Sequence, residues 1–229
     1  MSASGARAKA VPWARIVAAI SLRLSDPTAG HPLPSVSAVA RENSDPFRVL
    51  VATMISLRTK DEVTTRAAAA LLSAAPTAAA LAALPVGRIE HLIYPAGFYH
   101  TKARALRAAS AILVSEHGGR VPSEMDQLLA LPGVGRKTAN LVRNLGFGLL
   151  GICVDTHVHR ISNRMGWVST RSPEQTEQAL MGVLPRRYWI TINELLVRYG
   201  QSVCTPLSPH CSACPVSQWC RKTGVGRSR

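Results

Sequence analysis

The sequence predicts an all-α fold. Apolar residues recur at spacings of three and four along most of the 229-residue chain, which is the period of helices that pack on a core. No convincing run alternates polar and apolar residues in the way that a half-buried strand does. The predicted helices do not repeat one another in sequence, which argues against a solenoid. The length allows one large domain or two small ones with a buried core.

Five helices are predicted before residue 95. In the first, Ile16, Ile20 and Leu24 share one face. Asp45-Pro46 is a typical start for the second helix, because proline suits the first helical position. Alanine richness in the third indicates close packing between helices. The five predicted segments are residues 13–24, 46–57, 63–74, 78–84 and 86–94.

Six more helices are predicted after residue 97. A turn at residues 97–102 precedes a long helix that ends near His117, with Leu106 and Leu113 on its inward face. Glycines then interrupt the chain at several points. Gly146, Gly148 and Gly151 mark a candidate domain crossover. The remaining predicted helices are residues 125–131 and 138–145, a helix that begins near residue 156, and residues 174–184 and 189–199.

The charge balance indicates a polyanionic partner. Lysine and arginine number 27 against 13 aspartate and glutamate, a formal net charge of +14, and such an excess attracts nucleic acid. An anionic membrane is the alternative, but there is no basic helix with a broad aromatic face and no apolar run near 18 residues. Residues 1–15 form a basic, alanine-rich stretch. We interpret this stretch as a plain disordered tail in preference to a transit peptide.

The cysteines predict a metal centre near the C-terminus. Four of the five lie in the last 26 residues, so a disulfide framework is disfavoured and a reducing, intracellular compartment is expected. Cys204, Cys211, Cys214 and Cys220 are separated by six, two and five residues. A zinc site usually uses two CxxC pairs, whereas a compact iron–sulfur cluster suits four ligands from one segment. Spacing alone favours iron–sulfur but leaves zinc open, and Cys153 is predicted to be a buried core residue.

A tight turn between two predicted helices concentrates groups that suit a phosphate. Residues 131–140 read LPGVGRKTAN, and Gly133 and Gly135 allow positive φ or crowded backbone and let another surface approach. The second helix starts directly after Gly135, so its unpaired N–H groups and positive dipole end point outward. Arg136 adds a positive charge beside them. The alternative interpretation is an ordinary turn.

Lys137 and Asp155 are the candidate reactive residues. In the first turn of a helix the dipole disfavours the charged form of Lys137, whereas a nearby carboxylate favours it. A neutral lysine amine is a nucleophile. Asp155 precedes the helix that begins near residue 156, so an N-cap is one role for it and a carboxylate facing a cleft is the other. For Lys137 the alternative is a solvated surface charge.

These motifs together resemble the helix-hairpin-helix DNA glycosylases, and most closely the endonuclease III family. The resemblance rests on residues 131–140, on VDTHVHR at residues 154–160 and on the four C-terminal cysteines. It extends loosely over residues 38–221. It implies a [4Fe-4S] cluster held by Cys204, Cys211, Cys214 and Cys220.

The resemblance also implies two helical domains with a DNA-binding cleft between them. Residues 38–149 would form a six-helix domain that contains the helix-hairpin-helix. Residues 150–229 would form most of the cluster domain. Residues 1–37 would supply a basic tail and the N-terminal helix of that second domain. Double-stranded DNA would lie across the groove between the two domains.

The implied activity is that of a bifunctional DNA glycosylase and abasic-site lyase of base excision repair. Lys137 would attack C1′ of the deoxyribose, expel the base and form an imine. Asp155 would stabilise the positive charge that develops on the sugar. β-Elimination would then cut the strand 3′ to the lesion. The implied substrates are oxidised pyrimidines such as thymine glycol, and abasic sites.

The resemblance assigns further contacts to named positions. The hairpin would bind DNA through Gly133, Val134, Gly135 and Arg136. A nucleotide must leave the duplex before chemistry can occur on it. The residues that would fill the gap correspond to Arg58 and Phe98. The family usually has glutamine at the position of Arg58 and often an aliphatic residue at the position of Phe98. The residues that correspond to the pocket for the extruded base are Ser56, Asp61 and His157.

Three alternatives to this function stay open at the level of sequence. One is a sibling glycosylase directed at mismatches, although Lys137 argues against a strictly monofunctional member. The second is a non-catalytic, redox-sensing DNA-binding protein, and the third is a zinc-binding architectural protein. The first cysteine loop offers only His210 where relatives have basic residues. Two alternatives follow: the DNA contact of this loop is weaker, or Arg221 and Lys222 supply it. We expect a monomer without a membrane partner, in the cytoplasm of a bacterium or in the nucleus or mitochondrion of a eukaryote.

Overall fold

The structure is a computed structural model that describes residues 11–26 and 32–229. The described residues form helices, turns and loops and contain no strand, so the predicted all-α fold is confirmed. Residues 1–10, which include most of the predicted basic tail, lie outside this range. No helix in the described ranges has the length and apolar character needed to cross a membrane.

The α-helices of the described residues, numbered in chain order, follow the predicted segments closely. The predicted bounds of α1 are confirmed, and most others agree within three residues. The α-helices are α1 Trp13–Leu24, α2 Ser35–Glu42, α3 Pro46–Ser56, α4 Asp61–Ala74, α5 Ala78–Ala83, α6 Val86–Ile93, α7 Tyr99–His117, α8 Met125–Leu129, α9 Arg136–Leu141, α10 Thr156–Met165, α11 Pro173–Val183 and α12 Ile192–Ser202.

One helix, α2, was not predicted from the sequence. It has eight residues, and two of its four buried residues are serines, Ser35 and Ser37. A short helix whose buried face is half polar shows no apolar period, which explains why the pattern missed it. The predicted helix at 138–145 also differs, because α9 passes into a π-helical turn at Val142–Gly146.

The first core cluster is built around α3. Eight of the eleven residues of α3 are buried, so it is apolar on nearly all sides, as a central helix must be. The side chain of Asp45 accepts a hydrogen bond from the N–H of Phe47 at 2.9 Å and caps the start of the helix. Helices α2, α4, α7 and α9 pack directly on α3. The other buried side chains of this cluster come from these helices, from α5, α6 and α8 and from the turns between them, within residues 36–142.

The second core cluster joins the N-terminal helix to the C-terminal part of the chain. Ile16 and Ile20 of α1 are fully buried together with Ile161 of α10 and Leu196 of α12. The rings of Trp13 and Trp167 lie 4.7 Å apart. Residues 11–24 therefore pack with residues 152–216, although more than 120 positions separate them in sequence.

Candidate active site

A cleft of about 930 Å³ lies where residues of the two core clusters face each other. Its lining includes the start of α9, the start of α10, the end of α3 and the turn before α7. Lys137 and Asp155 both border this cleft. The two candidate reactive side chains thus share one cavity, although eighteen positions separate them in the chain.

Lys137 is the second residue of α9, directly after the hairpin. The helix begins at Arg136, and its N-cap residue Gly135 provides no side-chain hydrogen bond. The N–H groups of the first turn therefore remain available to donate to another acceptor. The thiol of Cys153 lies 3.6 Å from the carbonyl oxygen of Lys137. This contact ties the segment that leads into Asp155 to the helix that carries Lys137.

Asp155 is both an N-cap and a cleft residue. Its Oδ1 accepts hydrogen bonds from the N–H groups of His157 and Val158, each at 2.9 Å, at the start of α10. Both capping bonds use the same oxygen, so Oδ2 takes no part in the cap. The two interpretations that the sequence left open are therefore compatible in one side chain.

The hairpin glycines differ in their structural roles. Gly133 has a φ of +79°, and a Cβ built there would lie 3.0 Å from Cβ of Ala105. Gly135 has a φ of −104°, and a Cβ there would meet no atom within 4 Å. Gly133 is thus required by the turn and its packing. We expected crowded backbone or positive φ at Gly135 as well, and the structure shows neither. Gly135 instead leaves the start of α9 open to an approaching group.

Val134 does not offer a donor to DNA in this structure. Its side chain is buried in the first core cluster, and its N–H donates to the carbonyl oxygen of Leu131 at 3.1 Å. The DNA contact predicted for Val134 therefore stays a prediction, and its backbone N–H is not the group that is open to make it. The N–H groups available to a phosphate are those of the glycines and the first turn of α9, because the turn itself uses the Val134 donor.

The charge of Arg136 is already paired. Its guanidinium donates two hydrogen bonds to the carboxylate of Glu177 on α11, at 2.9 and 3.1 Å, and this raises the pKa of Arg136. The amide of Asn140 donates to the same carboxylate at 3.2 Å. We expected Arg136 to supply a free charge beside the hairpin. Instead, it connects α9 to α11 across the cleft, and the nearly buried Glu177 was not found from the sequence.

Ser56, Asp61 and His157, the predicted base-pocket residues, all line the cleft. Both oxygens of Asp61 accept hydrogen bonds: Oδ1 from the N–H and hydroxyl of Ser35 at 2.9 and 2.7 Å, and Oδ2 from the amide of Gln201 at 3.2 Å. Burial lowers the pKa of His157, and the neighbouring Asp155 carboxylate opposes this shift. Ser35 and Gln201 also line the cleft, and no sequence motif identified them.

Arg58 and Phe98 face each other at the edge of the cleft. The guanidinium carbon of Arg58 lies 5.6 Å from the centre of the Phe98 ring. Both residues have positive φ, +52° and +58°, a conformation that costs energy for residues other than glycine. The Phe98 side chain is 63% exposed. Two strained residues thus present a cation and an aromatic ring side by side.

Lys102 is a buried cation beside this pair that the sequence analysis missed. It is 8% exposed and lines the cleft. Burial lowers its pKa to about 8. The sequence did contain a signal that Lys102 is buried. Lys102 lies four residues before the inward-facing Leu106 on α7, and residues four apart point to the same side of a helix.

The four C-terminal cysteines line one pocket at the end of the second core cluster. Three polar groups contact their sulfur atoms: the Tyr199 hydroxyl lies 2.9 Å from Cys214, the Arg164 guanidinium 3.6 Å from Cys204, and the N–H of Lys222 3.3 Å from Cys220. N–H and O–H donors directed at sulfur stabilise a thiolate. The donor set therefore fits a cluster with four thiolate ligands.

Comparison with known proteins defines the class of this protein. Residues 51–186 match the model of the HhH-GPD superfamily of base excision DNA repair proteins. Residues 204–220, which begin at Cys204 and end at Cys220, match the iron-sulfur binding domain of endonuclease III. The chain is thus a base excision DNA repair enzyme of the HhH-GPD superfamily and carries a [4Fe-4S] cluster.

Individual relatives narrow the assignment. Endonuclease III of Thermotoga maritima is 46% identical over 191 residues, which are 82% of this chain and 90% of the relative. Endonuclease III homolog 2, chloroplastic, of Arabidopsis thaliana is 44% identical over 183 residues, and this chain spans about half (47%) of its length. The structure of a trapped endonuclease III–DNA covalent intermediate superposes with a TM-score of 0.74 at 35% identity, over 78% of this chain and 84% of that one. The chain belongs to the endonuclease III family of DNA glycosylases and lyases.

Proposed function

We propose that this protein is a bifunctional glycosylase and abasic-site lyase that removes oxidised pyrimidines from double-stranded DNA. The observation that supports this most directly is the shared cleft, in which an amine at a helix start and a carboxylate on a second helix face one cavity. A relative of similar fold has been trapped as a covalent intermediate with DNA. The presence of Lys137 supports a lysine-based mechanism over activation of water alone.

The glycosylase step uses the amine and the carboxylate together. The neutral amine of Lys137 attacks C1′ of the extruded deoxyribose, and the base leaves with the electron pair of the N-glycosidic bond. Positive charge builds on the sugar as that bond breaks. The free oxygen of Asp155 stabilises this charge and accepts a proton from the attacking nitrogen. The departing base takes its proton from water.

The lyase step follows from the imine that this attack produces. The sugar ring opens, and C1′ forms a protonated imine with the nitrogen of Lys137. The imine acidifies the proton on C2′, and its removal breaks the bond between C3′ and its oxygen. The strand leaves with a phosphate at its new 5′ end, and hydrolysis of the imine restores the lysine. The same route cleaves a pre-existing abasic site, because it needs no base.

DNA contacts are proposed on both sides of the reacting sugar. The hairpin from Gly133 to Arg136 would hold a phosphate with the open N–H groups at the start of α9. Arg58 and Phe98 would enter the space that the extruded nucleotide leaves, where a guanidinium can donate to the orphaned base and a ring can stack on it. The pocket of Ser56, Asp61 and His157 would receive the damaged base.

The remaining assignments extend this proposal to the whole chain. We propose that Cys204, Cys211, Cys214 and Cys220 hold the [4Fe-4S] cluster, which would fix the C-terminal loop in place and takes no part in the chemistry described above. The two core clusters support a division into a domain at residues 38–149 and a second domain that joins α1 to residues 150–229. We further propose a monomer in a reducing, intracellular compartment, because four of the five cysteines lie together in the last 26 residues and do not form a disulfide framework spread through the chain.

Borohydride trapping tests the mechanism. Lys137→Gln should lose the covalent adduct with a duplex that contains thymine glycol and should lose strand cleavage by at least about a hundredfold, while it still binds DNA. Lys60→Gln is the matched control, because Lys60 is exposed and lies outside the cleft lining. It should trap like the wild type. Undiminished trapping by Lys137→Gln would place the nucleophile elsewhere.

A further inference from the structure

The ammonium group of Lys102 is fully engaged by three acceptors. It donates to the carbonyl oxygens of Ile55 at 2.6 Å and Leu57 at 2.5 Å, and to the hydroxyl of Thr59 at 2.7 Å. An ammonium has three N–H donors, so none remains unused. Within the described parts of the chain, no carboxylate pairs with it. The group is therefore held by backbone and hydroxyl oxygens alone.

These acceptors lie at the C-terminal end of α3. Ile55 is in the last turn and Leu57 is the C-cap residue, and the carbonyl groups of a helix end lack partners within the helix. A cation is favoured there by the helix dipole. Lys102 thus caps α3 at the point where the chain turns toward Arg58. Burying a charge without a partner is costly. Here the carbonyl oxygens at the end of α3 offset this cost, and the ammonium in turn fixes the backbone that leads to Arg58.

The same lysine also holds the second loop. Its backbone N–H donates to the carbonyl oxygen of Phe98 at 3.0 Å. The Thr59 hydroxyl that accepts from its ammonium also accepts from the N–H of Gly97 at 3.1 Å. A Cβ built on Gly97 would lie 2.4 Å from the carbonyl oxygen of Arg58, so the two loops pack backbone against backbone. The Thr59 hydroxyl joins the two loops directly, and the ammonium of Lys102 holds that hydroxyl in place.

We propose that Lys102 is a positioning residue that holds Arg58 and Phe98 as one preformed unit for insertion into duplex DNA. Both residues keep positive φ angles, and such conformations persist only where the surroundings enforce them. The ammonium binds the carbonyl oxygen of Leu57 on one side of Arg58 and the side-chain hydroxyl of Thr59 on the other. Through that hydroxyl it is linked to Gly97, the residue before Phe98. This inference rests on the proposed function, since it assumes that the pair enters the duplex.

The test compares a substrate that needs insertion with one that does not. Lys102→Met retains the aliphatic stem and removes the ammonium. In single-turnover assays it should excise thymine glycol from a duplex about 10- to 100-fold more slowly than the wild type. Cleavage of an abasic site in single-stranded DNA, where no orphaned base remains, should change by less than about threefold. Lys60→Met is the matched control, and both of its rates should equal those of the wild type.

A double-mutant cycle separates positioning from general destabilisation. If Lys102 acts through Arg58, then adding Lys102→Met to the Arg58→Ala variant should lower the excision rate on the duplex by at most about threefold. An equal loss in both backgrounds, or an equal loss on both substrates, would overturn the inference. Should Lys102→Met fail to fold, Thr59→Val removes the shared hydroxyl without changing charge. Thr59→Val should slow excision from the duplex by about 3- to 10-fold and leave cleavage of the single-stranded substrate unchanged. An equal slowing on both substrates, or no slowing on either, would again overturn the inference.

The outcome also separates this inference from the proposed function. Failure of the wild-type protein to trap either substrate would refute the lyase mechanism itself. Normal wild-type activity on both substrates, with Lys102→Met equally active on the duplex, would refute only the role of Lys102. Fluorescence of 2-aminopurine placed opposite the lesion reports directly on insertion. Its increase on binding should be reduced in Lys102→Met and unchanged in Lys60→Met.

Discussion

Asp155 combines a structural and a chemical role in one carboxylate. Asparagine at this position would still accept both capping hydrogen bonds, since asparagine and aspartate cap helices equally well. It would lack the charge that stabilises the sugar cation. Alanine would lose both, and the missing cap would cost about 1 kcal/mol of stability. The structure therefore allows the two roles to be separated by substitution.

We predict that Asp155→Asn lowers the excision rate by about a hundredfold or more and changes the free energy of unfolding by less than about 1 kcal/mol. Single-turnover excision and urea unfolding measure the two quantities. Asp155→Ala serves as the comparison and should lose both activity and stability. A wild-type rate in Asp155→Asn would mean that this residue only caps α10.

The lowered pKa of Lys102 predicts opposite effects of pH on stability and on the positioning of Arg58. The folded protein releases this proton near pH 8, whereas an unperturbed lysine keeps it to about pH 10.5. Between these values unfolding takes up a proton, so the free energy of unfolding rises with pH. The neutral amine has two N–H donors for three acceptors, so positioning of Arg58 weakens over the same range.

We therefore predict that, from pH 7.5 to 10, the wild type gains about 1 to 3 kcal/mol of stability relative to Lys102→Met. Both proteins share the Lys137 nucleophile, so the effect of Lys102 appears in the ratio of their duplex excision rates, and this ratio should narrow over the same range. Urea unfolding and single-turnover rates at each pH provide the measurements. A stability difference that stays constant with pH would show that Lys102 keeps an ordinary pKa.

At the scale of an element, the hairpin illustrates how two glycines separated by one residue can serve different purposes. A glycine is required at position 133 by the positive φ and by the nearness of Ala105, which a Cβ there would crowd, and both are features of the fold. Gly135 has ordinary backbone and open space. Its lack of a side chain therefore matters only to something that approaches from outside, such as a phosphate.

We predict that Gly133→Ala destabilises the protein by about 1 to 3 kcal/mol, because alanine is strained at this φ and crowds Ala105. Gly135→Ala should change stability by less than about 0.5 kcal/mol but weaken DNA binding severalfold, because its methyl group obstructs the N–H groups at the start of α9. Urea unfolding and fluorescence anisotropy with an abasic-analogue duplex test this pair. Wild-type affinity in Gly135→Ala would contradict phosphate binding at the hairpin.

Most helices could be predicted because each carries its own apolar period. Helix α1 was located to the residue, since Ile16, Ile20 and Leu24 are spaced to share one face. Helix α2 was missed because serines occupy part of its buried face. Its Ser35 is positioned by Asp61, 26 residues away. A helix whose burial depends on such a distant partner leaves no local pattern.

At the scale of the whole molecule, the excess of positive charge should control affinity for DNA. With a net charge of +14, binding releases counterions from the phosphates, and affinity falls with salt by a slope of about 0.9 per contact. We predict a loss of roughly tenfold to a thousandfold in affinity between 50 and 200 mM salt. Fluorescence anisotropy at several salt concentrations measures this slope. A flat response would contradict a DNA-binding cleft lined by cations.

The sequence by itself determined the all-α class, most helix bounds, the hairpin, and the identity of the candidate nucleophile, carboxylate and cluster cysteines. These features are local, since helical periods and short motifs lie within a few residues of one another. The place of α1 beside the C-terminal helices was expected from the family resemblance, not from the pattern of α1 itself. Only the tertiary structure decided that Glu177 pairs with Arg136 from 41 positions away and that Lys102 binds the carbonyl oxygen of Ile55 from 47 positions away. Such contacts depend on which surfaces meet when the chain folds, and neither partner carries a local pattern that identifies the other.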